Sequence, residues 1–199
     1  KKLQQSGTFN RQAAMGDDVI SRIIYTEEEK NGLEDIQRVI VETINDLLDE
    51  MYAKEGISAE DVSAMMVAAN TTMIHLFLGI DPKSLAISPF RPQFEGPVVK
   101  KASELDLMGA EDAELKLVPN IAGHVGSDIT AGLIATDILD KDKGHLFIDI
   151  GTNGEIVVSG KGKIATCSTA AGPAFEGSSI AQGMRAASGA IERVDLTDK

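Results

Sequence analysis

Cysteine is almost missing from this chain of 199 residues, with Cys167 its single example. One thiol excludes an internal disulfide framework and a cysteine-ligated iron–sulfur cluster within the chain. It fits a cytoplasmic setting. Cys167 falls late in an apolar run, so it is expected to be a small packed residue and not a nucleophile. Long apolar runs are lacking too. The longest, at residues 64–69 and 129–138, are too short or too interrupted to span a bilayer. No initiator Met and no signal-like segment stands at the start, so the chain reads as a piece of a longer polypeptide. Basic charge is scarce, with 19 Lys and Arg against 31 Asp and Glu and a formal net charge of −12. Such a surface repels nucleic acid and anionic lipid, and neither is expected as a partner.

What is present has the pattern of an α/β protein. With 43% apolar residues the chain can fill a core. A helix is expected over residues 11–25, interrupted at Gly16-Asp17-Asp18 by a bend or a new N-terminus. Leu33, Ile36, Ile40, Ile44, Leu47, Leu48 and Met51 then recur at helical spacing, and the acids between them read as a solvated face. Ser58 marks a turn or helix start. Residues 64–69 read as a buried strand, followed by Asn70 as the cap of a short helix that ends near Gly79. His75 is expected on that helix as a surface or packing residue, since no second histidine stands at ligand spacing. Residues 82–97 form a Pro-rich connection, and residues 115–118 a short strand. A glycine-bearing loop from Asn120 to Gly126 leads to Ser127, a natural N-cap for a helix reaching about Leu139. Three apolar runs with short links follow, an expected antiparallel meander over residues 146–150, 155–159 and 163–166. Residues 170–177 read as a loop entering a helix that reaches about Met184. The expected division is 1–125 and 126–199.

The most informative run lies in that meander. A β-prone stretch carries one aspartate, Asp149, to its end; the chain then turns through Gly151-Thr152-Asn153-Gly154 and re-enters an apolar run at Glu155. A carboxylate at a strand end beside outward-pointing amides and hydroxyls suits a metal-bound polyphosphate. Asn-Gly is also a strong type I′ hairpin signal, and the spacing alone leaves both readings open.

The meander, reached through a helix from an earlier α/β unit, resembles the second lobe of actin-like ATPases (ribonuclease H-like fold), a superfamily that includes acetate and sugar kinases and actin. A narrower match rests on residues 12–22 (QAAMGDDVISR), 69–79 (ANTTMIHLFLG), 121–128 (IAGHVGSD), 147–155 (FIDIGTNGE) and 167–177 (CSTAAGPAFEG). In this order they resemble the reductive activators of corrinoid proteins, with part of lobe one joined to the start of lobe two. The resemblance implies an ATP-hydrolysing enzyme that returns Co(II) corrinoid to Co(I) in a methyl-transfer corrinoid protein. It implies ATP and Mg²⁺ as cofactors, and a [2Fe-2S] centre only in a domain outside this chain.

By position, the resemblance sets Asp149 towards the metal and in the catalytic role with Glu155, which either orients a water or simply begins the next strand. It sets Gly151, Thr152, Asn153 and Gly172 around the nucleotide. Ser127 and Asp128 would start the helix that connects the lobes. His124 is expected to be structural, and a homodimer is left open. A small-molecule kinase on the same fold and a non-catalytic partner-binding module are the alternatives.

Overall fold

The computed structural model describes residues 4–94, 96–139 and 143–172, with single residues at 181, 183, 189 and 191 beyond them. It divides into two compact units, residues 1–136 and 137–199. The expected helix reaching Met184 lies outside the described residues.

In the first unit, chain breaks fall where local chemistry demands them. Residues Arg11–Met15 form a 3-10 turn capped by the Asn10 side chain, and helix α1 (Val19–Glu28) starts afresh after Gly16. Its start is a capping box: Asp18 Oδ1 accepts from Ser21 N–H at 2.7 Å, and Ser21 Oγ accepts from Asp18 N–H at 3.1 Å. The expected helix over 11–25 is therefore two pieces. Helix α2 (Gly32–Glu55) ends at Gly56 in the left-handed conformation. Its buried stripe includes Ile36, Val41 and Tyr52, while Ile40 and Ile44 pack against the core. The acids Asp35 and Glu42 pair with Arg38 on the exposed face.

Strand β1 (Ala64–Val67), helix α3 (Thr71–Leu78), strand β2 (Val98–Lys101), strand β3 (Glu114–Leu117) and helix α4 (Ser127–Thr136) complete this unit. The sheet order is β1-β3-β2, with β1 parallel and β2 antiparallel to β3. Leu115 and Leu117 on the central strand join Ile74, Phe77, Ala102, Leu105 and Ala113 in one core. Each large side chain so buried contributes about 1.5–3 kcal/mol. The strand expected to be buried, β1, instead lies at the sheet edge with Met66 72% exposed. An apolar run without alternation cannot report which neighbour is missing.

His75 is fully buried, which decides between its surface and packing readings. Its Nδ1–H donates to Thr71 O at 2.7 Å, and Nε2 accepts the Gln93 N–H at 3.1 Å, so the ring is neutral. Phe94 lies against it with ring centroids 4.8 Å apart. The Pro-rich connection is thus pinned to α3 through two consecutive residues, Gln93 and Phe94. Burial lowers the His75 pKa from its usual 6.5, opposed by the Thr71 bond and by Asp81. The unfolded chain therefore binds the proton more readily than the folded one. Stability is expected to be fully present above about pH 6.5 and to fall as the pH drops below it, levelling off only once the folded ring is protonated. Urea midpoints between about pH 6.5 and 5 should decline for the wild type and stay flatter for His75→Gln.

The second unit is an antiparallel meander as expected, with order β4-β5-β6. Strands β4 (His145–Ile150), β5 (Asn153–Gly160) and β6 (Lys163–Ala170) pair in continuous register. The β5–β6 link is a two-residue turn in which Lys161 (φ 51°) and Gly162 (φ 70°) both have positive φ, as type I′ requires. One sheet face carries Phe147, Val157 and Thr166, and the other carries Leu146, Ile148, Val158 and Cys167. Cys167 is exposed, against the expectation of a packed residue, because strand alternation puts it on the second face. Among the described residues no helix is long and apolar enough to cross a membrane.

Candidate functional site

Asp149 occupies the penultimate position of β4 and stands directly opposite Glu155 on β5. Directly opposed residues share a sheet face, so the two carboxylates project from the same side, both half-buried. Ser168 on β6 is opposite Glu155, and its Oγ donates to Glu155 Oε1 at 2.9 Å. Ser168 is the residue that the sequence reading missed. Its signal was the strand register, which is visible only once β5 and β6 are aligned.

Between the strands the chain turns tightly. Ile150 pairs with Gly154, and Gly151 N–H donates to Asn153 O at 2.9 Å. Neither Asn153 nor Gly154 has positive φ, and both belong to β5, so the Asn-Gly pair does not form a type I′ turn. The Thr152 carbonyl accepts from Ala171 N–H at 3.2 Å and from Gly172 N–H at 2.8 Å. Gly172 has φ 79°, a conformation that favours glycine. Two candidate residues twenty positions apart in the chain, Thr152 and Gly172, are therefore hydrogen-bonded. Gly151 uses its N–H inside the turn, and the side-chain polar groups carried there are the Thr152 hydroxyl and the Asn153 carboxamide.

The donor set bears on the metal. A pair of carboxylates at a strand-to-strand turn provides hard oxygen ligands, and Mg²⁺ is held by one or two carboxylates while keeping several waters. Asp149 and Glu155 fit that chemistry. Among the described residues no group of three or more His, Cys, Asp or Glu side chains forms an all-protein cage. Such a site would complete its coordination with water and phosphate oxygens.

Of the two residues assigned to a lobe-connecting helix, Asp128 is an acid in the first turn whose Oδ1 accepts from Ile129 N–H at 2.9 Å, while Ser127 has a different role from capping. Ser127 is the first residue of α4, and its Oγ accepts from Ala69 N–H at 3.0 Å and donates to Ala69 O at 2.9 Å. The Ser127 and Asp128 N–H groups also donate to Ala69 O, at 3.0 and 3.3 Å. Ser127 thus ties the start of α4 to Ala69, in the link between β1 and α3, rather than capping its own helix. The helix belongs to the first unit, which ends at Thr136, later than the expected boundary at 125/126. His124 is exposed and sits against Phe90 with ring centroids 4.8 Å apart.

The α/β layer unit and the antiparallel meander carrying Asp149 and Glu155 fit the actin-like class. Comparison with known proteins makes this specific. Residues 1–141 match the family described as the RACo middle region, and residues 143–199 match the C-terminal domain of RACo, the ASKHA domain. The chain belongs to the RACo family. It is 38% identical over 193 residues to the corrinoid activation enzyme RamQ of Eubacterium limosum, covering 96% of this chain and 32% of that protein. It is 32% identical over 162 residues to the [Co(II) methylated amine-specific corrinoid protein] reductase of Methanosarcina barkeri, covering 77% of this chain and 29% of that protein. A solved reductive activator for corrinoid, iron–sulfur protein superposes with a TM-score of 0.88 at 45% identity, covering all of this chain and 32% of that one. The chain spans about a third of the length of these relatives.

Proposed function

We propose that the chain contributes the middle region and the first part of the nucleotide-binding domain of an ATP-dependent reductive activator of a corrinoid protein. In this reading Asp149 holds Mg²⁺ through water, and the 151–153 turn receives the phosphate oxygens. Gly172 sets the position of that turn through its N–H bond to the Thr152 carbonyl. Glu155, held by Ser168, orients a water near the metal. Mg²⁺ held there would supply Lewis-acid stabilisation of the charge on the transferring phosphoryl group, with the donors of the 151–153 turn beside it. Differential nucleotide affinity for two conformations then couples hydrolysis to electron transfer onto Co(II) in the docked partner.

The observation that carries this reading is the opposed Asp149–Glu155 pair beside a turn clamped by Gly172. The relatives' names supply the corrinoid partner. The electron enters from a [2Fe-2S] centre outside this chain, consistent with its single cysteine.

The test is ADP release by the intact protein, with the Co(I) spectrum read in parallel. ATP-dependent Co(I) formation that requires the corrinoid protein is the expected result. ADP release that follows a small-molecule acceptor, without any corrinoid protein, would instead identify a kinase. Absence of Mg·ATP binding to the intact protein would reduce the chain to a docking module.

A further inference from the structure

A buried imidazole must satisfy two ring nitrogens, and the partners of His75 allow only one protonation state. Nδ1 faces the Thr71 carbonyl at 2.7 Å, and a carbonyl can only accept, so Nδ1 holds the proton. Nε2 faces the Gln93 N–H at 3.1 Å, and an N–H can only donate, so Nε2 is bare. A second proton has one place to go, and there it would set N–H against N–H. Protonation of the ring and the Gln93 bond exclude each other.

The bond at stake holds the returning limb of the 82–97 connection to α3. Gln93 and Phe94 are the residues through which that limb meets the ring. Other bonds of the limb stay within the same stretch of chain: Gln93 Nε2 donates to Asp81 O at 2.8 Å, and Ser84 Oγ donates to Arg91 O at 2.6 Å. Residues 86–91 are all exposed, and Phe90 meets the exposed His124 at the surface. Phe94 is the limb's contact with the hydrophobic core. Lifting the limb uncovers that ring, whereas unfolding α3 would also uncover Ile74, Leu76 and Phe77. The local opening therefore loses less burial than the global one.

The charges around the ring are few. Helix α3 carries no charged residue besides it, and α2 meets the helix with the uncharged Gln37, bonded to Phe77 O. Arg22 of α1 reaches α3 at Met73. On the connection, Asp81 favours the charged ring, Lys83 is paired with Glu27 of α1, and Arg91 is exposed.

We propose that His75 is a proton-operated latch: a proton taken up at Nε2 releases Gln93 and Phe94 from α3 and opens the 82–97 connection while the core of the first unit stays folded. The released ring regains its ordinary proton affinity, so the open fraction rises about tenfold for each pH unit below about 6.5. Above that pH the latch is shut. It lies wholly in the first unit and does not depend on the nucleotide reading.

The experiment is amide hydrogen exchange of the intact protein, read as protection factors from about pH 7.5 to 5 at several low urea concentrations. Protection of the Gln93 amide is expected to fall about tenfold per pH unit below about 6.5. It should stay at least about tenfold below that of the α2 and β3 amides and be insensitive to urea, the mark of an opening that exposes little surface. In His75→Gln, whose side-chain carbonyl can accept the Gln93 N–H at every pH, the protection should be flat. In Asp81→Asn, which loses the charge that favours the protonated ring, the fall should begin at lower pH. Gln93 exchanging with the protection and urea dependence of α2 and β3 would make the event global unfolding and overturn the latch. So would a flat wild-type profile, an unmoved profile in Asp81→Asn, or the same fall in His75→Gln, which would assign it to His124.

Discussion

Gly123→Ala is expected to destabilise the first unit by about 3 kcal/mol, the upper end of the range for forced overpacking. The added Cβ would lie 1.9 Å from Phe90 O and 3.0 Å from Phe90 C, so the obstacle is backbone, not the end of a flexible side chain. Phe90 has little room to retreat. Its N–H is bonded to Ile87 O at 2.7 Å, and four residues later Phe94 packs on His75. Moving the 120–126 loop instead would disturb the Ala122–Val125 bridge and the Thr71 hydroxyl bond to Ala122 O. The chain has no tryptophan and two tyrosines, Tyr25 and Tyr52, both in the first unit, so tyrosine fluorescence reports that unit alone. The urea midpoint should fall with its slope unchanged. Gly7→Ala, where nothing lies within 4 Å, should stay within about 0.5 kcal/mol of wild type. Equal midpoints for the two variants would show that the loop and the 89–94 segment are not packed as described.

The elements that were legible in the sequence are those whose signals are local. Asp18 and Asn70 cap the helices they precede, and Gly56 and Gly79 close theirs in left-handed conformations. The period of α2 and the meander from His145 to Ala170 also follow from spacing alone. The failures are all long-range. Ser127 has the right residue type and position for a cap, but its hydroxyl serves Ala69, fifty-eight residues earlier. Cys167 sits in an apolar run of β6 and shares its sheet face with the exposed Leu146, Ile148 and Val158 of the neighbouring strands, so hydrophobic neighbours in sequence did not imply burial. Asn153-Gly154 is a turn signal that lost to strand pairing with Thr169 and Ala170. At the candidate site, Asp149 and the glycine turn could be read from the residue pattern. The Ser168–Glu155 and Gly172–Thr152 bonds could not, because both need the position of β6 and the segment following it.

Asp149→Asn should move function and stability in opposite directions. In the intact protein, ATP-dependent Co(II) reduction is expected to fall by about 100-fold or more, the scale seen when one charge-stabilising group leaves a reacting centre. The amide keeps the shape of the side chain and removes the negative charge that, on the proposed reading, would bind Mg²⁺ or its waters. The fold should respond the other way. Asp149 stands directly opposite Glu155, and like charges so placed across a sheet are destabilising by about 0.2–1 kcal/mol. Neutralising one relieves that repulsion and leaves the Ser168 bond to Glu155 intact. Hydrogen exchange of the β4–β5 amides should therefore be unchanged or slower in the variant. Equal losses of activity and amide protection would make Asp149 a structural residue. Activity and protection both at wild-type level would remove it from the metal site and, with it, the carboxylate on which the nucleotide reading rests.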